Sequence, residues 1–398
     1  MTAFKTIDDI NVAGKRVFLR LDLNVPMKDG VITDATRIER SLETLKQLSA
    51  KGAKIIAASH YGRPKGKVVG DMSLRPVAIA LGKALNKTLP FAADCVGPAA
   101  DNIISRMSDG DIVVLENLRF HAGEEANDPV FSKQLADLAD IFVNDAFSTA
   151  HRAHASTEGI THHLDAAAGR LMQAELDALS NALVAPEHPL AALVGGAKIS
   201  SKMDVLGNLV RQADVLIIGG GMANTFLFAQ GIDVGNSLCE KDMADQARDI
   251  MNRAAEAGCE IALPLDAVVA TEFAPNAPNR TVTLDAIPSD AMMLDVGAAS
   301  ITDVIDRLGK CKTIVWNGPM GAFEISPFDV GTNAVAREVA RLTKDGKMIS
   351  VAGGGDTVAA LANAGVVDAF SYVSTAGGAF LEWLEGKDLP GVAALKKG

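Results

Sequence analysis

Cysteine is scarce in this chain. The four residues, Cys95, Cys239, Cys259 and Cys311, are scattered through 398 positions with no C-x-x-C pair. That spacing argues against a disulfide framework and a thiolate zinc site, and it fits a reducing compartment. None of the four sits in a charged motif, which argues against a catalytic cysteine. The N-terminus, Met1-Thr-Ala-Phe-Lys-Thr-Ile-Asp-Asp9, has no apolar signal core, so the expected location is cytoplasmic. Long apolar runs are also missing. The longest, near residues 215–229, is broken by Gly219-Gly220-Gly221 and is too short to span a bilayer. There is no surplus of positive charge: the formal net charge is −11. Residues 1–170 carry 21 basic and 21 acidic residues, whereas 171–398 carry 17 and 28. This balance counts against nucleic acid as a partner, and its ordinary meaning is a solvated acidic surface on the second half. Two familiar phosphate motifs are missing as well. Gly-Lys pairs such as Gly66-Lys67 and Gly346-Lys347 are followed by neither Ser nor Thr, and no G-x-G-x-x-G occurs. A P-loop NTPase and a dinucleotide-binding Rossmann enzyme are both unsupported.

What is present is a chain too long for one hydrophobic core, with 48% apolar residues. Short Val/Ile/Leu-rich runs alternate with amphipathic stretches. In the first half, strands are expected at Arg16–Asn24, Lys54–Ser59, Asp111–Glu116 and Ile141–Asn144. In the second half they are expected at Leu190–Gly195, Val215–Ile218, Glu260–Val269, Thr313–Trp316 and Met348–Ala352. Helices are expected at Ala35–Ala50, with Ile38, Leu42, Leu45 and Leu48 on one face, and at Asp242–Ala257 and Val330–Leu342. Continuous apolar strands between helices imply parallel sheets covered on both faces. The expected class is α/β, with two doubly wound, Rossmann-like domains joined by a helix near Leu171–Leu179. The expected boundaries are 1–170 and 171–383.

In such sheets, ligands sit beyond the carboxyl ends of the strands, and the charged and glycine-rich motifs fall there. In the first half these are Arg20-Leu-Asp22-Leu-Asn24, Arg37, His60-Tyr-Gly-Arg63, Glu116-Asn-Leu-Arg119-Phe-His121 and Thr149-Ala-His151-Arg152-Ala-His154. Any one arginine is ordinarily a surface charge or an ion-pair partner. Five in successive strand-end loops point to an anionic ligand, because the guanidinium fork matches phosphate and carboxylate oxygens. In the second half the motifs are Gly195-Gly196-Ala-Lys198-Ile-Ser-Ser-Lys202, Gly219-Gly-Gly221, Trp316-Asn317-Gly318-Pro319 with Glu324 beyond, and Gly353-Gly354-Gly355-Asp356-Thr357. Lys198 and Lys202, four apart, are expected on one helical face. Glycines at helix starts bring backbone N–H groups close to a phosphate. Each cluster alone is explained by a tight turn; four in succession point to a nucleotide. Asp356, beside such amides, is a candidate Mg²⁺ contact.

With Asp145-Ala-Phe147 after the fourth strand, these motifs resemble phosphoglycerate kinase, in that family's order and over nearly the whole chain. The resemblance implies reversible phosphoryl transfer from 1,3-bisphosphoglycerate to ADP, giving 3-phosphoglycerate and ATP, with Mg²⁺. It implies a glycolytic, cytoplasmic monomer without nucleic-acid or membrane partners, which closes about a hinge. Its C-terminal tail, 384–398, is expected to pack on the first domain. The substrate site carried over is Asp22, Asn24, Arg37, His60, Arg63, Arg119 and Arg152. The nucleotide site is Lys198, Lys202, Asn317, Glu324, Gly354, Gly355, Asp356 and Thr357, with Asp356 at the metal. Catalytic roles fall on Arg37, Lys202, Gly354 and Gly377. Ser148, Ser201 and Ala376 depart from the family pattern. Of these, Ala376 is expected to restrict φ in the turn near the transferred phosphate. A non-catalytic anion- and nucleotide-binding protein on the same scaffold is the rival reading. It predicts loss of Arg37 or Lys202, and both are present.

Overall fold

The computed structural model describes residues 4–397. The chain divides into two compact units, Met1–Asp177 with Asp388–Gly398, and Ala178–Lys387. The C-terminal segment joins the first unit through the Gly391 amide, which donates to the Ala150 carbonyl at 2.8 Å. A Cβ on Gly391 would lie 3.0 Å from the Ala150 backbone, so a larger residue would have to push the two segments apart by a few tenths of an ångström.

Among the described residues, the first unit holds a five-stranded sheet. In spatial order its strands are Ile112–Val114, Lys54–Ala58, Arg16–Arg20, Ile141–Asn144 and Ala166–Ala168. All pairings are parallel. Numbered along the chain, the order is 3-2-1-4-5. Val17, Phe18 and Leu19 are fully buried, as expected of strands covered on both faces. Helix Thr36–Ala50 turns Ile38, Leu45 and Leu48 into the core.

The second unit holds a six-stranded parallel sheet. Its order is Glu260–Ala262, Val215–Ile218, Leu190–Val194, Thr313–Asn317, Ile349–Gly353 and Tyr372–Ser374. This is 3-2-1-4-5-6, the order of doubly wound nucleotide-binding folds. The expected strand Glu260–Val269 is in fact two strands. Glu260–Ala262 pairs with Val215–Ile218, and Asp266–Ala270 joins a separate antiparallel sheet with Asn279–Thr283 and Met292–Val296. Pro264 lies in the break; it has no N–H to continue the ladder. The edge strands Ala166–Ala168 and Tyr372–Ser374 were not anticipated. They are three residues long, and a run of alanines carries no strand propensity of its own.

Helix Arg170–Leu179 carries the chain from the first unit to the second. Its start is fixed by Asp145, whose Oδ1 accepts the Leu171 and Met172 amides at 2.8 and 3.1 Å. Gly169 makes room, since a Cβ there would stand 2.3 Å from that oxygen. Burial pushes the Asp145 carboxyl up to about 6, against the opposing pull of Thr44 and the two amides. Between the ordinary value of 3.8 and about 6, the folded chain therefore holds a proton that the unfolded chain has released. The resulting stability is full below 3.8 and is lost as pH rises through about 6. A shift of this size is worth roughly 3 kcal/mol. Asp145→Asn keeps an acceptor and cannot titrate. Urea denaturation at about pH 4 and pH 7 is expected to show wild type losing on the order of 3 kcal/mol relative to the variant. A difference that does not change with pH contradicts this.

Candidate active site

At the first sheet, the strand order reverses between Arg16–Arg20 and Ile141–Asn144. The loops leaving these neighbouring strands bracket a crevice, and Asp22 and Asn24 occupy one side of it. Asn24 Oδ1 accepts the Gly62 amide at 2.9 Å, tying the first strand-end loop to the second. Gly62 has φ +62° and faces the Met72 sulfur, so the turn requires glycine. Asp22 Oδ2 accepts Arg37 Nη1 at 2.6 Å and also the Ser148 hydroxyl. Arg37 stands in the first helical turn with 35% of its side chain exposed. Arg119 is almost fully buried. Its Nη1 donates to the Gly62 carbonyl at 2.9 Å, and its Nε lies 3.2 Å from Glu125. Arg63 is exposed, and Arg152, half-buried, donates to His151 Nε2 at 3.1 Å. Burial and the repulsion of Arg152 and Arg63 pull the Arg119 guanidinium down, partly offset by Glu125. Arg37, Arg63, Arg119 and Arg152 outnumber the carboxylates that face them, Asp22, Glu124 and Glu125, and a surplus of positive charge attracts anions.

Other residues of these motifs face elsewhere. Arg20 has no exposed surface. It donates to Ser156 Oγ at 2.9 Å, to the Leu21 carbonyl, and to His60 Nδ1 at 3.1 Å. It therefore does not belong with the arginines at the sheet edge. His121 is held by Asp94 at 2.7 Å and stacks on Phe131. His154 is buried, and burial followed by repulsion from Arg119, Arg20 and Arg152 lowers it to about 4.

At the second sheet, the reversal lies between Leu190–Val194 and Thr313–Asn317. Lys198 and Lys202 do not share a helical face. Lys198 is extended and exposed, Ile199–Lys202 is a 3₁₀ turn, and the helix starts only at Met203. The 3₁₀ turn directs Lys202 inward. Its ammonium donates to the Gly195 carbonyl at 2.6 Å, to Asn317 Oδ1 at 2.6 Å and to the Asn317 carbonyl at 3.1 Å. Burial pulls this group down to about 8, and Asp356 opposes the shift. Asn317 Nδ2 in turn donates to the Gly353 carbonyl at 2.7 Å. Thr357 Oγ1 donates to that carbonyl at 2.8 Å and accepts the Gly318 amide at 2.7 Å. Gly354 has φ +102°, and a Cβ there would meet Asn317 Nδ2 at 2.6 Å. Gly355 opens helix Gly355–Ala364, with Asp356 exposed in its first turn. Gly377 opens helix Gly377–Leu384, and a Cβ there would lie 3.9 Å from the Gly354 and Gly355 backbone. Two helix N-termini thus converge, which favours negative charge.

Beside them lies a cleft of about 330 Å³, a size suited to a small ligand. Gly196, Gly220, Gly221, Pro319, Glu324 and Asp356 line it together with Leu238, Phe273, Met292, Met293 and Leu294. The last five were not expected. The three from 292–294 come from the antiparallel sheet, whose only sequence signal is a Pro/Asn-rich turn, Pro275-Asn276-Ala-Pro278-Asn279, between two Val-containing runs.

A family model described as phosphoglycerate kinase matches residues 7–387. The chain belongs to the phosphoglycerate kinase family. It is therefore a phosphotransferase, a kinase of glycolysis. The chain is 61% identical over 398 residues to the phosphoglycerate kinase of Allorhizobium ampelinum, covering 100% of both chains. It is 63% identical over 393 residues to that of Rhodospirillum centenum, covering 99% of each. Among solved structures, the phosphoglycerate kinase of Coxiella burnetii superposes with a TM-score of 0.93 at 44% identity, covering 99% of each chain. The Pyrococcus horikoshii enzyme gives a TM-score of 0.81 at 31% identity, covering 98% of each.

Against the phosphoglycerate kinase pattern, the three departures have local explanations. Ser148 supplies a second donor to Asp22. The Ser201 hydroxyl caps the Lys198 carbonyl at 2.8 Å. Ala376 has φ −97°, so alanine sits there without left-handed strain. In the second crevice, Thr357 is 1% exposed and bonded on both sides. Thr357→Val keeps the shape and strands the Gly318 amide, at a cost of about 1–3 kcal/mol. A lowered melting temperature and a raised KM for ADP are expected, with Thr357→Ser restoring most of both. A Val variant with wild-type stability contradicts the network.

Proposed function

We propose that the family's reaction, reversible phosphoryl transfer from 1,3-bisphosphoglycerate to ADP giving 3-phosphoglycerate and ATP, runs here through the two crevices. Asp22 and Asn24 orient the glycerate end, with His60 as a hydrogen-bonding partner. Arg63, Arg119 and Arg152 hold the phosphate that is not transferred. Lys198, Asn317, Glu324 and the Gly354–Gly355 backbone, with Asp356 and Thr357, receive the nucleotide. The exposed Asp356 carboxylate, in the cleft and within electrostatic reach of Lys202, fits a Mg²⁺–nucleotide; the ion's chemistry there is neutralisation of phosphate charge.

The acceptor carboxylate of 3-phosphoglycerate is already ionised near neutral pH, so no general base is required. Positioning and charge stabilisation carry the reaction. Lys202, Gly354 and Gly377 stabilise the phosphoryl group from the nucleotide side. Burial pulls Lys202 down to about 8, and an anion beside it raises it again, so the ammonium stays charged where the phosphoryl group passes. Transfer in place of hydrolysis requires water to be shut out, so closure of the units about helix Arg170–Leu179 belongs to the proposal. The setting is cytoplasmic, in keeping with four free thiols.

The observation that carries the assignment is the Asp22–Arg37 pair at 2.6 Å. The helix that bears Arg37 packs through Ile38, Leu45 and Leu48, so the guanidinium has no core to support. A guanidinium acting on a transferring phosphoryl group can be worth about 10³–10⁵ in rate. Arg37→Ala is expected to keep its circular dichroism spectrum and lose at least roughly a hundredfold in kcat, a bound set below that range. Arg37→Lys recovers only part, because a point charge cannot reproduce the planar fork. Steady-state kinetics showing near-normal kcat with only a raised KM would move Arg37 to ordinary substrate binding.

A further inference from the structure

Arg20, the last residue of strand Arg16–Arg20, is a fully enclosed cation that the proposed reaction does not use. With no exposed surface, it cannot touch a ligand. Its three nitrogens are spent in three directions, on Ser156 Oγ, the Leu21 carbonyl and His60 Nδ1. A buried charge needs a counter-charge, and the fully buried Glu124 provides it. Glu124 accepts the Ser156 hydroxyl at 2.6 Å and the Ser156 amide at 3.0 Å, and its charge acts on Arg20.

Burial pulls the Arg20 guanidinium down from its ordinary value, yet the group does not deprotonate in proteins and has no acceptor atom. The 3.1 Å contact between Arg20 Nη2 and His60 Nδ1 therefore runs one way. Arg20 donates, Nδ1 accepts, and the ring proton must sit on Nε2. Protonating Nδ1 would set an N–H against an N–H and place a second cation beside Arg20. The groups acting on His60 reinforce this. Arg20, Arg119, Arg37 and His154 all oppose its protonation, as does its burial, which is the largest effect.

We propose that Arg20 is a positioning residue that locks His60 in the Nε2–H tautomer, so that His60 offers the substrate a neutral hydrogen-bond donor and not a positive charge. The proposal rests on the placing of His60 in the substrate site. Within the cluster it divides the labour. Arginines supply the charge, and His60 supplies a directed N–H that does not switch on and off near the ordinary histidine value. The fork is essential to the lock, because lysine's single ammonium cannot serve Ser156, the Leu21 carbonyl and His60 from one fixed plane.

The test uses the full-length enzyme with ¹⁵N-labelled histidine rings. The His60 signals are assigned by their loss in His60→Gln. A bare Nδ1 and a protonated Nε2, unchanged as pH falls from about 8 to about 6 across the ordinary histidine value, are expected. An Nδ1–H tautomer, or an imidazolium forming in that range, overturns the proposal. In Arg20→Lys, His60 is expected to lose its single tautomer; a folded variant with an unchanged His60 spectrum overturns the role of Arg20. Should that variant not fold, the wild-type spectrum still decides. The KM for 3-phosphoglycerate separates the layers. Glutamine carries its N–H near the Nε2 position and asparagine near Nδ1, so His60→Asn is expected to raise KM about tenfold more than His60→Gln. If neither variant moves KM, His60 leaves the substrate site and the proposal fails with the reading beneath it. A wrong tautomer overturns the proposal while that reading stands.

Discussion

Strand order is the constraint on which the rest depends. In each parallel sheet the first and fourth strands of the chain are neighbours. At such a pair the following connections diverge, and the carboxyl ends are left open. No side chain has to be inserted to make the opening. Both crevices are therefore by-products of winding, and the sequence needs only to decorate the loops on either side. The first is decorated with arginines and a carboxylate, the second with glycines and a lysine. The proposed ligands match the difference: a small anion is gripped by side chains, whereas a polyphosphate chain is best met by backbone amides and helix ends.

The two crevices also use burial differently. In the second, the Lys202 ammonium donates hydrogen bonds to the Gly195 carbonyl and to Asn317. Asn317 passes the constraint to Gly353, and Thr357 closes the loop to Gly318. Three strand-end loops are thereby held in one arrangement before any nucleotide arrives, and this preorganisation reduces the ordering cost of binding. In the first crevice, Arg37 remains 35% exposed on a single strong carboxylate contact, while Arg20 is fully enclosed. A partly exposed cation and a fully enclosed one thus lie within one short stretch of chain.

Much of this was legible in the residues. Parallel strands announced themselves as apolar runs, and the helix over Thr36–Ala50 followed from its apolar spacing. The anion and nucleotide motifs fell at strand ends because that is where parallel sheets open. What was not legible depended on contacts distant in sequence. Ala166–Ala168 is a strand only because Phe142–Asn144 pairs with it. The break at Pro264 hid a change of sheet, and with it the apolar wall from Met292 to Leu294. Lys198 and Lys202 have helical spacing, but a 3₁₀ turn separates their directions. Arg20 shares its motif with Asp22 and Asn24, yet it is the last residue of strand Arg16–Arg20 and is fully buried, whereas the other two lie in the loop beyond. No local pattern separates an exposed arginine from an enclosed one.

The central claim is that each ligand has its own crevice. Hydrogen exchange of the full-length enzyme, with 3-phosphoglycerate alone and with Mg-ADP alone, tests it most directly. The account predicts that 3-phosphoglycerate slows exchange in the loops at 22–24, 60–63, 117–121 and 145–154. Mg-ADP is predicted to slow the loops at 195–202, 317–320 and 353–357 and the wall at 292–294. Protection of the arginine loops by Mg-ADP alone, with the glycine loops unaffected, would contradict it.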